Sequence, residues 1–170
     1  TFHVGGEENI RIETVLAIAR DVIAGMKYMS ERHFVHRNLA SRNILVDDQD
    51  RCKVSDFGMS RLLAQNKHYY YLQHAGGSPL PLRWSAPEVL LSGRFTTGSD
   101  VWSFGVLLYE MLTRAAIPFA RCSNVRVLEV LSSECNEAVM STYLPVPFAG
   151  ARSIYKMLVV PCWQKDVLQR

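Results

Sequence analysis

The chain has 170 residues, 48% of them apolar and 21% charged, with a formal net charge of +3. That length fits one domain with a sizeable core, and so small a charge, spread along the chain, gives no basic surface for nucleic acid or a membrane. Cys52, Cys122, Cys135 and Cys162 stand far apart with no Cys-x-x-Cys pair. Reduced thiols are therefore expected, rather than a zinc site or a disulfide framework.

Thr1 to Asn9 reads as an irregular lead-in, without a basic-then-apolar leader. Val15, Leu16, Ala19, Val22, Ile23, Met26 and Met29 then recur at helical spacing and predict an amphipathic helix over 12–30. Ile44 to Val46 and Cys52 to Val54 are short apolar runs around a polar turn, so a small hairpin is expected. Residues 65–81 are polar, aperiodic and rich in Gly and Tyr, which predicts a long mobile loop. Val101 to Leu112 is apolar on nearly all faces, as a buried central helix would be. Ser103 and Glu110 interrupt it, and it is too short to cross a bilayer. Ser123 is a candidate N-cap for a further helix, and another is expected over 153–163, kinked or shortened by Pro161. The sum is a mainly α fold with one hairpin.

Chemistry enters with four short motifs. His36-Arg37-Asn38-Leu39-Ala40-Ser41-Arg42-Asn43 follows the first helix, and Asp56-Phe57-Gly58 follows the hairpin. Ala86-Pro87-Glu88 closes the long loop, and Asp100-Val101-Trp102-Ser103-Phe104-Gly105 begins the buried helix. Singly each is weak. In this order they resemble the catalytic loop, DFG and Ala-Pro-Glu motifs of protein kinases, over almost the whole chain. Ala40, with Arg42 before Asn43, resembles the tyrosine-specific branch, especially its receptor type, with Ser41 replacing an alanine.

The resemblance implies a kinase-like C-terminal lobe, with helices around a buried central one, and transfer of the ATP γ-phosphoryl group to a tyrosine of a protein substrate. Asn43 and Asp56 would supply oxygens to Mg²⁺, Leu45 the floor of the adenine site, and Arg37, Asn38 and Arg42 the rest of the catalytic loop. Pro81, Leu82, Arg83 and Trp84 resemble the shelf that supports the substrate chain. Tyr69, Tyr70 and Tyr71 read either as autophosphorylation sites or as plain loop aromatics. Arg37 is the family's phosphate partner, and otherwise a solvated cation beside the loop. Structural roles fall to His36, Phe57, Gly58, the ion pair of Glu88 with Arg170, and Asp100, which opens the buried helix and holds the catalytic loop's backbone.

Departures from the family matter as much. Asn38 stands where the family has its general base, and an amide cannot take the substrate proton. Some receptor-type relatives with this asparagine are regarded as pseudokinases that act by partnering an active kinase, which is the alternative function. Gly5-Gly6 lacks the spacing of a phosphate loop, and the sequence shows no strand lysine to accompany one. Residues 1–170 are thus expected to be a partial domain, cut at both ends and inactive alone, with Leu45 and Phe57 on an exposed face. Val167, where proline is usual, and Ala115-Ala116 are milder departures. The resemblance implies a cytoplasmic location, or the intracellular part of a membrane receptor.

Overall fold

A computed structural model describes residues 11–63, 69–71, 80–133 and 135–170. The expectations for Thr1–Asn9, and for most of the loop at 65–81, lie outside the described residues.

Helix α1 (Ile12–Glu31) carries the expected apolar stripe. Its buried seam is Val15, Ile18, Ala19 and Val22, while Leu16 and Ile23 are exposed. The stripe is wider than the surface covering it: successive residues turn by about 100°, so Leu16 and Ile23 sit one step round from the seam. Strands β1 (Phe34–Val35), β2 (Ile44–Val46) and β3 (Cys52–Val54) follow. The β2–β3 hairpin is antiparallel, with Leu45 opposite Lys53. Its turn is organised by Asp47, which accepts from the backbone amides of Gln49 and Arg51. The hairpin is tied to α1 where the Cys52 amide donates to Asp21, at 3.0 Å.

Two more antiparallel ribbons escape a periodicity reading. Strand β4 (Arg61–Leu62) pairs with β1, and β5 (Tyr70–Tyr71) pairs with β6 (Arg94–Phe95). Strands this short show no alternation. The β5 pairing also corrects the expectation of unbroken loop over 65–81: part of that stretch is held against the residues after helix α2 (Pro87–Ser92).

Helix α3 (Thr97–Leu112) is the centre of the core, with Trp102, Val106, Leu107 and Leu108 fully buried. It begins before the apolar run. Thr96 caps it in a reciprocal pair with Ser99, each side chain bonding the other's backbone amide at 3.0 Å. Asp100 therefore lies within the first turn and does not open the helix, which corrects the sequence reading. One side of α3 packs with Ile18, Val22, Leu39, Ile44 and Cys52. The other packs with the C-terminal third of the chain.

That third contains α4 (Asn124–Ser132), capped by Ser123 as expected, and α5 (Glu137–Tyr143), capped by Asn136. A last helical stretch starts as α6 (Arg152–Ile154), loosens to a π-helix over Tyr155–Val159, and tightens to a 3₁₀ turn over Val160–Trp163. Pro161 explains the change of pitch, since it has no N–H to donate back along an α-helix. The Leu158 carbonyl accepts instead from the Cys162 thiol, at 3.1 Å. Burial pushes the Cys162 thiol up to about 12 and the Cys135 thiol up to about 11, so both stay protonated.

Gly105 is where α3 meets this stretch. A Cβ there would stand 2.6 Å from the Cys162 Cβ and 2.7 Å from the Trp163 Nε1. Both neighbours are buried and cannot swing away. Gly105→Ala is expected to destabilise the chain by about 1–3 kcal/mol through overpacking, measured by urea unfolding. An unchanged midpoint would show that the two elements separate freely.

Candidate active site

The loop between β1 and β2 has no regular structure of its own until a 3₁₀ turn at Ser41–Asn43. It is shaped by two carboxylates from α3. Asp100 accepts from the His36 amide at 2.7 Å and the Arg37 amide at 3.0 Å. Burial pushes the Asp100 carboxyl above its ordinary range, and these two amides pull the other way. Glu110, buried one helical stretch further on, accepts from the Ser41 amide (2.9 Å), the Ser41 hydroxyl (2.7 Å) and the Trp84 Nε1 (2.9 Å). Sequence reasoning noted Glu110 only as an interruption. A carboxylate inside an apolar run is itself the signal, since a buried charge persists only where donors meet it.

His36 is fully buried. Its Nδ1 accepts from the Asn38 amide at 3.2 Å, and its Nε2 lies 3.0 Å from the Ser55 carbonyl. A carbonyl only accepts, so Nε2 carries the proton and the ring is a neutral brace. Phe57 packs edge-on against it, with centroids 5.5 Å apart. Arg37 is not a solvated cation. It is 6% exposed, lies 4.1 Å over the Phe95 ring and 5.0 Å over the Tyr70 ring, and donates to the Met59 carbonyl. Burial first, and Arg61 next, lower its pKa. The neighbouring Arg94 lies 5.1 Å over the Tyr69 ring. The Nε atoms of Arg37 and Arg94 are buried without a hydrogen-bond partner among the described residues.

Asn38, Arg42, Asn43 and Asp56 come together in one bonded group. The Asn38 Nδ2 donates to Asp56 Oδ2 at 2.7 Å, and Arg42 donates to the Asn38 Oδ1 at 2.8 Å. The buried Asn43 donates its Nδ2 to the Asn38 carbonyl at 2.6 Å. Asp56 holds this position with a left-handed backbone, φ 61° and ψ 64°, at the start of the turn Phe57–Met59. A Cβ on Gly58 would lie 3.5 Å from Asp56 Oδ1, an ordinary contact. Leu45 is 58% exposed and Phe57 53%, so the apolar edge beside this group is open.

The segment 81–84 is fastened through Arg83 and Trp84. Trp84 carries the Arg42 guanidinium 4.4 Å over its ring, which joins it to the Asn38 group. Arg83 donates to the carbonyls of Pro118, Phe119 and Cys122 and to the Asn124 side chain, at 2.6–3.1 Å. Pro81 and Leu82 are half-buried, and the Pro81 carbonyl accepts from the Ser85 hydroxyl. Further along, Glu88 meets Arg170 in a two-pronged pair of 2.6 and 3.0 Å.

Residues 4–170 match the family described as protein tyrosine and serine/threonine kinase. The ephrin type-B receptor 5 of Gallus gallus is 36% identical over 164 residues, which is 96% of this chain and 16% of that receptor. The ephrin type-B receptor 4b of Danio rerio is 38% identical over 152 residues, 89% of this chain and 15% of that receptor. The tyrosine-protein kinase SRK2 of Spongilla lacustris is 35% identical over 161 residues, 95% of this chain and 41% of that kinase. The chain thus spans less than half the length of each of these relatives. It belongs to the protein tyrosine and serine/threonine kinase family, on its tyrosine kinase side.

Proposed function

We propose that residues 1–170 form the catalytic-loop part of a tyrosine kinase domain whose whole transfers the ATP γ-phosphoryl group to a tyrosine of a protein substrate. The observation that carries this is the single bonded group of Asn38, Arg42, Asn43 and Asp56. One carboxylate and one amide oxygen suit Mg²⁺, which keeps several waters and shares phosphate oxygens rather than filling an all-protein cage. Asn43 spends its Nδ2 on the Asn38 carbonyl, so its amide oxygen is the end available for a cation. When bound, Mg²⁺ would neutralise charge on the phosphates. Leu45 would floor the adenine, and the shelf Pro81–Trp84, fixed by Arg83, would support the peptide.

Arg37 and Arg94, each with an unpartnered buried Nε, support phosphorylation among Tyr69, Tyr70 and Tyr71. Phosphate brings a charge of about −1.5 to −2 that an arginine can pair. We place the domain on the cytoplasmic side of a cell, as part of a receptor or of a soluble kinase. No helix among the described residues is long and apolar enough to cross a membrane.

A second reading has its own support. The Asn38 amide has no basic atom for the substrate proton, and both its ends are engaged by neighbours. In this reading the domain is a pseudokinase that binds and activates a partner kinase. On either reading, residues 1–170 alone do not hold ATP tightly. Titration calorimetry with Mg·ATP is expected to show no binding in the micromolar range, and micromolar affinity would overturn this.

A further inference from the structure

Asn38 does more than leave out a base. Its orientation is fixed twice over: a carboxylate only accepts, so Nδ2 must face Asp56, and a guanidinium only donates, so Oδ1 must face Arg42. The residue is a neutral bridge between an anion and a cation. An aspartate at 38 could not make it, because a second carboxylate in donor range of Asp56 has no proton to offer and repels it. The other contacts brace the bridge. The Asn38 amide rests on His36 Nδ1, its carbonyl takes the Asn43 side chain, and Arg42 is held flat over Trp84.

We propose that Asn38 is a positioning residue that clamps Asp56 Oδ2, so that a divalent cation must displace the Asn38 amide to use that oxygen. This rests on the reading of Asp56 as a metal carboxylate. The same contact that removes the base therefore also competes with the metal. For Asp56 to offer both oxygens to a cation, the Asn38–Asp56 hydrogen bond would first have to open. Asn38 and Asp56 are both solvent-accessible, so their bond can open without disturbing the core.

The test uses Mn²⁺ alone, followed by electron paramagnetic resonance on residues 1–170. Asn38→Ala removes the donor without adding charge. It is expected to tighten Mn²⁺ binding by about threefold to tenfold, the worth of one hydrogen bond, with unchanged far-UV circular dichroism. Asn38→Ser, which is shorter and still polar, replaces it if the alanine variant does not fold. Unchanged or weaker binding in the variant overturns the clamp, since Asn38 would then be inert or itself a ligand. Asp56→Asn is the reference and is expected to abolish binding. Mn²⁺ bound equally by Asp56→Asn, or by no variant at all, would instead defeat the metal reading of Asp56, an outcome distinct from failure of the clamp.

Discussion

Replacing Glu88 with glutamine is expected to lower the stability of the chain by about 3–5 kcal/mol, the cost of breaking a buried ion pair on one side. The Arg170 side chain is fully buried and lies 4.9 Å over the Trp102 ring, so it cannot turn to water when its partner is neutralised. Its remaining contacts are the carbonyls of Gln164, Gly98 and Lys165, which bond a cation but do not balance its charge. Urea unfolding measures the loss. The double variant Glu88→Leu with Arg170→Met should recover much of it, because replacing both charges by apolar groups of similar size is often neutral. A loss below about 1 kcal/mol in Glu88→Gln would mean that the pair behaves as a surface salt bridge.

Asn38→Asp is expected to raise kcat by about 10²–10⁴, the usual worth of a general base, when residues 1–170 are joined to a lobe with a Gly-rich loop and a strand lysine. A carboxylate at 38 would keep Arg42 as its partner and could take the substrate proton, while giving up the donation to Asp56. In residues 1–170 alone the same substitution is expected to give no phosphorylation. Rates on a tyrosine peptide for the four proteins check this. Equal rates with and without Asn38→Asp in the joined domain would show that the base contributes nothing to this active site.

Two elements were plain in the sequence because their patterns are long or symmetric. The α1 stripe repeats over several turns, and the β2–β3 hairpin has matched arms around a polar turn. The start of α3 was hidden because its first turn, Thr97 to Asp100, is polar and serves as a cap. Helix α2 carried readable ends, Pro87 at its first position and Gly93 left-handed at its close with φ 66°, but its six residues are too few for a period. The motif residues of the site could be read by order alone. Their contacts could not. The bond from Asn38 to Asp56 spans 18 positions and depends on the left-handed backbone at Asp56, which no local pattern announces. Nor could spacing show that Ser41 and Trp84 would share Glu110.

The hold of Asp100 on the loop also fixes the order in which this protein can assemble. The His36 and Arg37 amides find their acceptor 64 and 63 residues later in the chain. Closing a loop of that length costs about 4 kcal/mol of chain entropy, repaid only when α3 docks on α1. During synthesis, β1 and the residues after it emerge before Asp100 does, so these two bonds cannot form until the central helix has left the ribosome. In the finished protein the same dependence runs backwards. The two amide hydrogens are therefore expected to exchange slowly, at rates that respond to loosening of α3 against the loop.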